Sequence, residues 1–71
     1  MEEVHYKIIE ELGVISEYKS GWTRELNLIS WYGAKPKYDL RDWAPNREKE
    51  GKGLVLSAEE IDKLKDILDR I

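Results

Sequence analysis

Residues 20–43 read SGWTRELNLISWYGAKPKYDLRDW, and they hold all three tryptophans of a 71-residue chain that has no phenylalanine. The stretch divides naturally at GAKP. Pro36 cannot donate to a strand ladder and Gly33 is conformationally free, so residues 33–36 read as a turn. The flanking runs, WTRELNLISWY and KYDLRDW, carry the alternation and the aromatic and β-branched content of strands. Two antiparallel strands joined by a short turn are therefore the centre of the fold.

Upstream, EYKSG reads as a second turn, with Gly21 supplying a positive φ. HYKIIEELGVIS before it predicts a long strand from about Tyr6 to Ser16, with Gly13 as a bulge or bend. A helix over EEVHYKIIEEL is the competing reading. Downstream, APNREKEGKG is a polar loop and GLVL a short fourth strand. Ser57-Ala-Glu-Glu60 is a capping box, in which Ser57 accepts from the amide three residues on and Glu60 reaches back. Ile61, Leu64, Leu68 and Ile71, with Ile67 alongside, make one apolar stripe, so a helix is predicted from Ser57 to about Ile71. The order β-β-β-β-α predicts an α+β fold: a four-stranded antiparallel meander followed by a C-terminal helix.

At this length residues 1–71 form a single domain with a marginal core. There is no cysteine and one histidine, which excludes disulfides and argues against a structural metal. Oligomerisation is then the favoured source of extra stability. The acidic opening MEEVHYKIIEEL lacks an apolar leader run, and no transmembrane stretch is apparent, so the chain reads as cytoplasmic with no membrane partner.

The net charge is −3, but it is unevenly distributed. Residues 1–17 carry −4 and residues 57–71 carry −2, whereas residues 18–56 carry +3. The aromatic-rich segment is also the basic one, and local charge governs within a Debye length of roughly 10 Å.

Strand parity assigns Leu26, Leu28, Tyr38 and Leu40 to a core face. Asn27, Ile29 and Trp31, and Lys37, Arg41 and Trp43, then point outward. Trp22 and Arg24 share the parity of Leu26, so a twist or bulge must bring them round. An open sheet surface of rings interleaved with Arg and Lys suits unpaired nucleic acid. Bases stack on such rings at roughly 1–3 kcal/mol each while cations follow the phosphates. The expected site is Trp22, Arg24, Trp31, Lys37, Arg41, Trp43 and Lys52, with Lys19 and Lys35 as peripheral members. The plainer readings make Trp22 and Trp31 core or interface residues and place Arg41 in a surface ion pair with a neighbouring aspartate. His5 stands alone and receives no role.

Asp39, Asp42, Glu48 and Glu50 do not form a two-metal nuclease set by spacing, because Asp39 and Asp42 lie on opposite strand faces. Lys52 in GKG precedes a strand rather than opening a helix, so it is not a phosphate loop. No catalytic residue, cofactor or small-molecule substrate is expected.

DLRDW followed by EGKGLVLSAEEIDKLKDIL resembles the DNA-binding domain of the positive cofactor four (transcriptional coactivator) family. The whole chain is most similar to its bacterial YdbC-like branch, over about residues 6–71. The resemblance implies a homodimer that binds single-stranded DNA with little sequence preference, in transcription, replication or repair. It implies DNA contacts for Arg41, for the aromatic after it, matched by Trp43, and for Lys52. The family often has a further basic residue where this chain has Gly51. Ile61, Leu64, Ile67, Leu68 and Ile71 are expected in the core and dimer interface. Two other readings of the same patch are an adaptor for another protein and an RNA-binding surface.

Overall fold

In a computed structural model, which describes residues 5–71, the chain folds as β1 (Tyr6–Glu17), β2 (Thr23–Trp31), β3 (Lys37–Trp43), a 3-10 turn (Pro45–Arg47), β4 (Glu50–Leu56) and α1 (Ala58–Leu68). The strands form one antiparallel sheet in the order β1-β2-β3-β4. The expected meander followed by a helix is the observed fold. Tyr6–Glu17 is a strand and not a helix. Gly21 takes φ 94°, as the β1–β2 turn requires.

β4 begins earlier than expected. Residues 50–52 belong to it, because Trp43 pairs with Glu50 across an irregularity in the β3–β4 ladder. The intervening chain is fastened by Ala44 N–H to Lys49 O at 3.0 Å and Arg47 N–H to Ala44 O at 2.8 Å. The capping box forms: Ser57 Oγ accepts from the Glu60 amide at 3.1 Å, and the Ser57 amide donates to Glu60 Oε1 at 2.8 Å. The helix ends at Leu68, three residues before the expected end.

β1 carries three register shifts, between Ile8 and Glu10, Glu11 and Gly13, and Val14 and Ser16. Only the one at Gly13 was expected. Each bulge bends the strand and raises its twist. The result is a curved sheet. β1 and β3 are separated by β2, yet the Tyr6 and Trp43 ring centroids lie 5.3 Å apart.

Curvature reverses the expected assignment of the buried face. Residues do share faces as parity dictates, but the buried set is Glu25, Asn27 and Ile29 of β2 with Asp39 and Trp43 of β3. These line the concave side. Leu26, Leu28, Tyr38 and Leu40, expected as core, are only half-buried on the convex side. The helix covers little of that side: it touches β3 and β4, and Ile61 is its one buried residue among those described. Leu64, Ile67, Leu68 and Ile71 are exposed in the single chain, as is Leu54. No helix of the described residues is long and apolar enough to cross a membrane.

Candidate nucleic-acid interface

Asp39 is fully buried at the floor of the concave face. It accepts from Arg41 Nε at 2.6 Å and Nη2 at 2.8 Å, and from the Trp31 indole N–H at 3.2 Å. Arg41 also donates through Nη1 to Gly51 O at 3.1 Å, and its guanidinium lies 4.8 Å from the centre of the Trp31 ring. Only 14% of its side chain is exposed. A bidentate, charge-assisted pair of this kind is geometrically rigid. Arg41 is thus a largely buried, paired cation rather than the open one expected, and its partner is a buried aspartate rather than a surface one.

Trp43 is also placed differently. It was expected as an outward stacking platform, but its side chain is 0% exposed. Tyr6 packs on it, and the Arg47 guanidinium lies 5.9 Å from its ring. The curl of β1 explains this, because it carries Tyr6 over a ring that a flat sheet would leave open. Trp31 remains half-buried, between Tyr6 at 5.4 Å and His5 at 6.0 Å.

Arg47 ties the far side of the concavity together. It bonds Glu11 of β1 and Glu25 of β2, the latter at 2.8 Å. Glu25 further accepts from Thr23 at 2.7 Å and from Asn27 at 3.2 Å. Burial pushes the Glu25 carboxyl up, but the bonds from Thr23, Arg47 and Asn27 outweigh it and hold it below the ordinary carboxylate range.

Arg24, which pairs with Asp42, and Lys52 lie on the convex side with Leu40 and Leu54, so no twist brings Arg24 round to the ring face. Arg24 donates to Asp42 at 2.9 Å and stands 5.8 Å from the centre of the Tyr18 ring. The hydrogen bond from Arg24 lowers the Asp42 carboxyl, and the same bond raises the guanidinium. A groove here is lined by Arg24, Leu40, Arg41, Asp42, Lys52 and Leu54. Trp22, half-buried, lies against Gly51 and accounts for the glycine there. A Cβ at that position would sit 2.9 Å from the Trp22 ring and 3.1 Å from the Asp42 carbonyl oxygen. The basic residue common there in the resembling family has no room beside Trp22.

The expected site residues therefore fall into two groups. Trp22, Arg24 and Lys52 share the groove end, with Lys19 exposed in the nearby turn. Trp31, Arg41 and Trp43 share the concave face. Lys37 is exposed where β3 begins, and Lys35 is exposed in the turn before it.

Three aromatic residues escaped the sequence reading. Tyr6 lies opposite Trp31 in the ladder, a pairing visible only once the register is known. Tyr32 is 80% exposed, with φ 51°. His5, read as isolated, packs against Tyr6, Trp31 and Tyr32 and bonds Glu50, 45 residues away. No local pattern signals a contact of that separation.

The chain was compared with known proteins. The family model described as Transcriptional Coactivator p15 (PC4) matches residues 18–67. An uncharacterized protein of Treponema pallidum (strain Nichols) is 41% identical over 68 residues, covering 96% of this chain and 80% of that protein. The matched span contains β2, β3, β4 and nearly all of α1, together with both cation groups described above. With 50 of its 71 residues inside that match, the chain belongs to the transcriptional coactivator p15 (PC4) family.

Proposed function

We propose that this chain binds single-stranded DNA, with little sequence preference, as a homodimer. Its family is associated with single-stranded DNA binding. The observation that carries the reading is the Trp31 ring, held by its bond to Asp39 and by the Arg41 guanidinium and only half-buried. A ring immobilised before the ligand arrives loses little freedom on stacking with a base. Exposed cations stand on both sides of the sheet: Lys37 on the Trp31 face with Lys35 in the turn before it, and Arg24 and Lys52 on the convex side with Lys19 in the nearby turn. They suit a phosphate backbone, whereas a duplex keeps its base faces buried and gains little from the rings.

The dimer reading rests on the convex side. Leu54, Leu64, Ile67, Leu68 and Ile71 are exposed together with half-buried leucines of three strands, in a chain too small to leave such a surface uncovered cheaply. A second copy offers the same apolar surface in a self-complementary arrangement. Two linked DNA surfaces then raise each other's effective concentration. The setting is transcription, replication or repair, each of which supplies unpaired DNA.

The salt dependence of oligo-dT affinity tests this for the wild type, Arg24→Ala and Lys52→Ala. Each substitution is expected to weaken binding and to reduce the slope of log K against log salt by about 0.7, the value for one phosphate contact on a single strand. Slopes that match the wild type in both variants would remove these cations from the interface.

A further inference from the structure

The curved sheet brings the beginnings of its two edge strands together. His5 immediately precedes β1, and Glu50 opens β4, at opposite edges of the strand order. Their side chains nevertheless meet, His5 Nε2 to Glu50 Oε1, at 2.6 Å. The bond spans the concave face like a clasp. The same imidazole lies 6.0 Å from the Trp31 ring and 5.5 Å from the Tyr32 ring, tilted 31° to each. The backbone reinforces this, because the Tyr32 amide donates to the His5 carbonyl at 2.7 Å. Tyr32 sits in the left-handed region at φ 51°, unusual for a bulky side chain, in the turn that Gly33 continues at φ 75°.

We propose that His5 is a positioning residue for the stacking face, and that protonation of its imidazole tightens the grip of that face on single-stranded DNA. The inference rests on the single-stranded DNA reading above. His5 is the only histidine of the chain, so a charge change near neutral pH at this face has one side-chain source.

The groups around it fix the sign. Glu50 of β4 accepts from Nε2, and that bond, ahead of every other influence, holds the Glu50 carboxyl below its ordinary range. The carboxylate is therefore charged throughout the range in which histidine titrates. From β1 the facing group is the Tyr6 ring, and from the end of β2 come Trp31 and Tyr32. From β3 comes Arg41, which acts on Glu50 but is itself matched by Asp39. Neutral His5 can donate through Nε2 to Glu50. Adding a proton at Nδ1 turns that hydrogen bond into an ion pair and takes the net charge of the His5–Glu50 pair from −1 to 0. Removing that net negative charge beside the stacking rings favours a polyanion, so affinity rises as pH falls.

Oligo-dT is the probe, because thymine does not titrate between pH 5.5 and 8. Its affinity for the full chain is measured across that range for the wild type and for His5→Gln, which keeps a neutral donor. The wild type is expected to bind roughly two- to fivefold tighter at pH 5.5 than at pH 8, the size of one partly exposed charge interaction. Its salt dependence should steepen over the same interval. His5→Gln should bind no tighter at pH 5.5 than at pH 8 and so lose both dependences. If His5→Gln keeps the wild-type pH profile, the inference fails and the DNA-binding reading stands. If the wild type ignores oligo-dT at every pH, both fail together. Circular dichroism of His5→Gln at each pH separates loss of fold from loss of the proton effect.

Discussion

Removing Asp39 would strip two hydrogen bonds from Arg41 and one from Trp31, leaving a cation in a mostly buried place with no counter-charge. Breaking one side of such a pair costs about 3–5 kcal/mol, so Asp39→Ala should lower the urea midpoint sharply. Arg41→Ala should do the same by stranding a fully buried carboxylate. It is therefore a poor probe of DNA contact unless stability is measured alongside. Trp43→Ala is expected to cost about 3–5 kcal/mol by opening a cavity beneath Tyr6, and denaturation of the variant checks this directly. Glu25 has a folded pKa below its unfolded one, so its stabilising contribution is complete above the ordinary carboxylate range. That contribution is lost as pH falls through the lowered value. Glu25→Gln should thus cost stability at pH 7 and converge on the wild type in acid, read from urea midpoints at the two pH values. At this scale the sequence was partly legible. The shared parity of Trp31, Arg41 and Trp43 was readable from spacing, but their degree of burial was not, because it depends on what curls over them.

That curl belongs to β1. Its three register shifts lie in a run where only Gly13 looks irregular, and the other two arise from pairing with β2 rather than from any residue that breaks a strand. The elements with local signals behaved differently. β3 occupies the expected residues 37–43, bounded by Pro36 before and Pro45 after. The helix begins where the capping box places it. Ser57→Ala should cost about 1 kcal/mol through the lost cap, measurable as a fall in thermal midpoint without change of fold. Gly51→Ala tests the element packing at the groove. The added methyl meets the Trp22 ring and the backbone of Asp42, so it should displace Trp22 and shift tryptophan emission to the red.

For the molecule as a whole, net charge is the misleading quantity and charge placement the useful one. The chain carries −3, yet Arg24 and Arg41 lie against the Tyr18 and Trp31 rings, while Glu11 of β1 is paired with Arg47. The convex leucine side was read as core because a strand pattern cannot say whether a helix, a second chain or the curvature of the sheet will cover a given face. Sedimentation equilibrium is expected to give twice the chain mass, and Leu64→Glu with Ile67→Glu should reduce it to one. Dissociation should also weaken oligo-dT binding, since the two surfaces then act alone.

The most direct single measurement is a titration of the intrinsic tryptophan fluorescence with oligo-dT and with a duplex of equal length, at low and at moderate salt. Trp31 and Trp22 are each partly accessible, so a stacked base alters their emission. Strong quenching by oligo-dT, little response to duplex and weakening with salt are the predicted result. An emission spectrum that neither nucleic acid changes at low salt would contradict single-stranded DNA binding by this sheet.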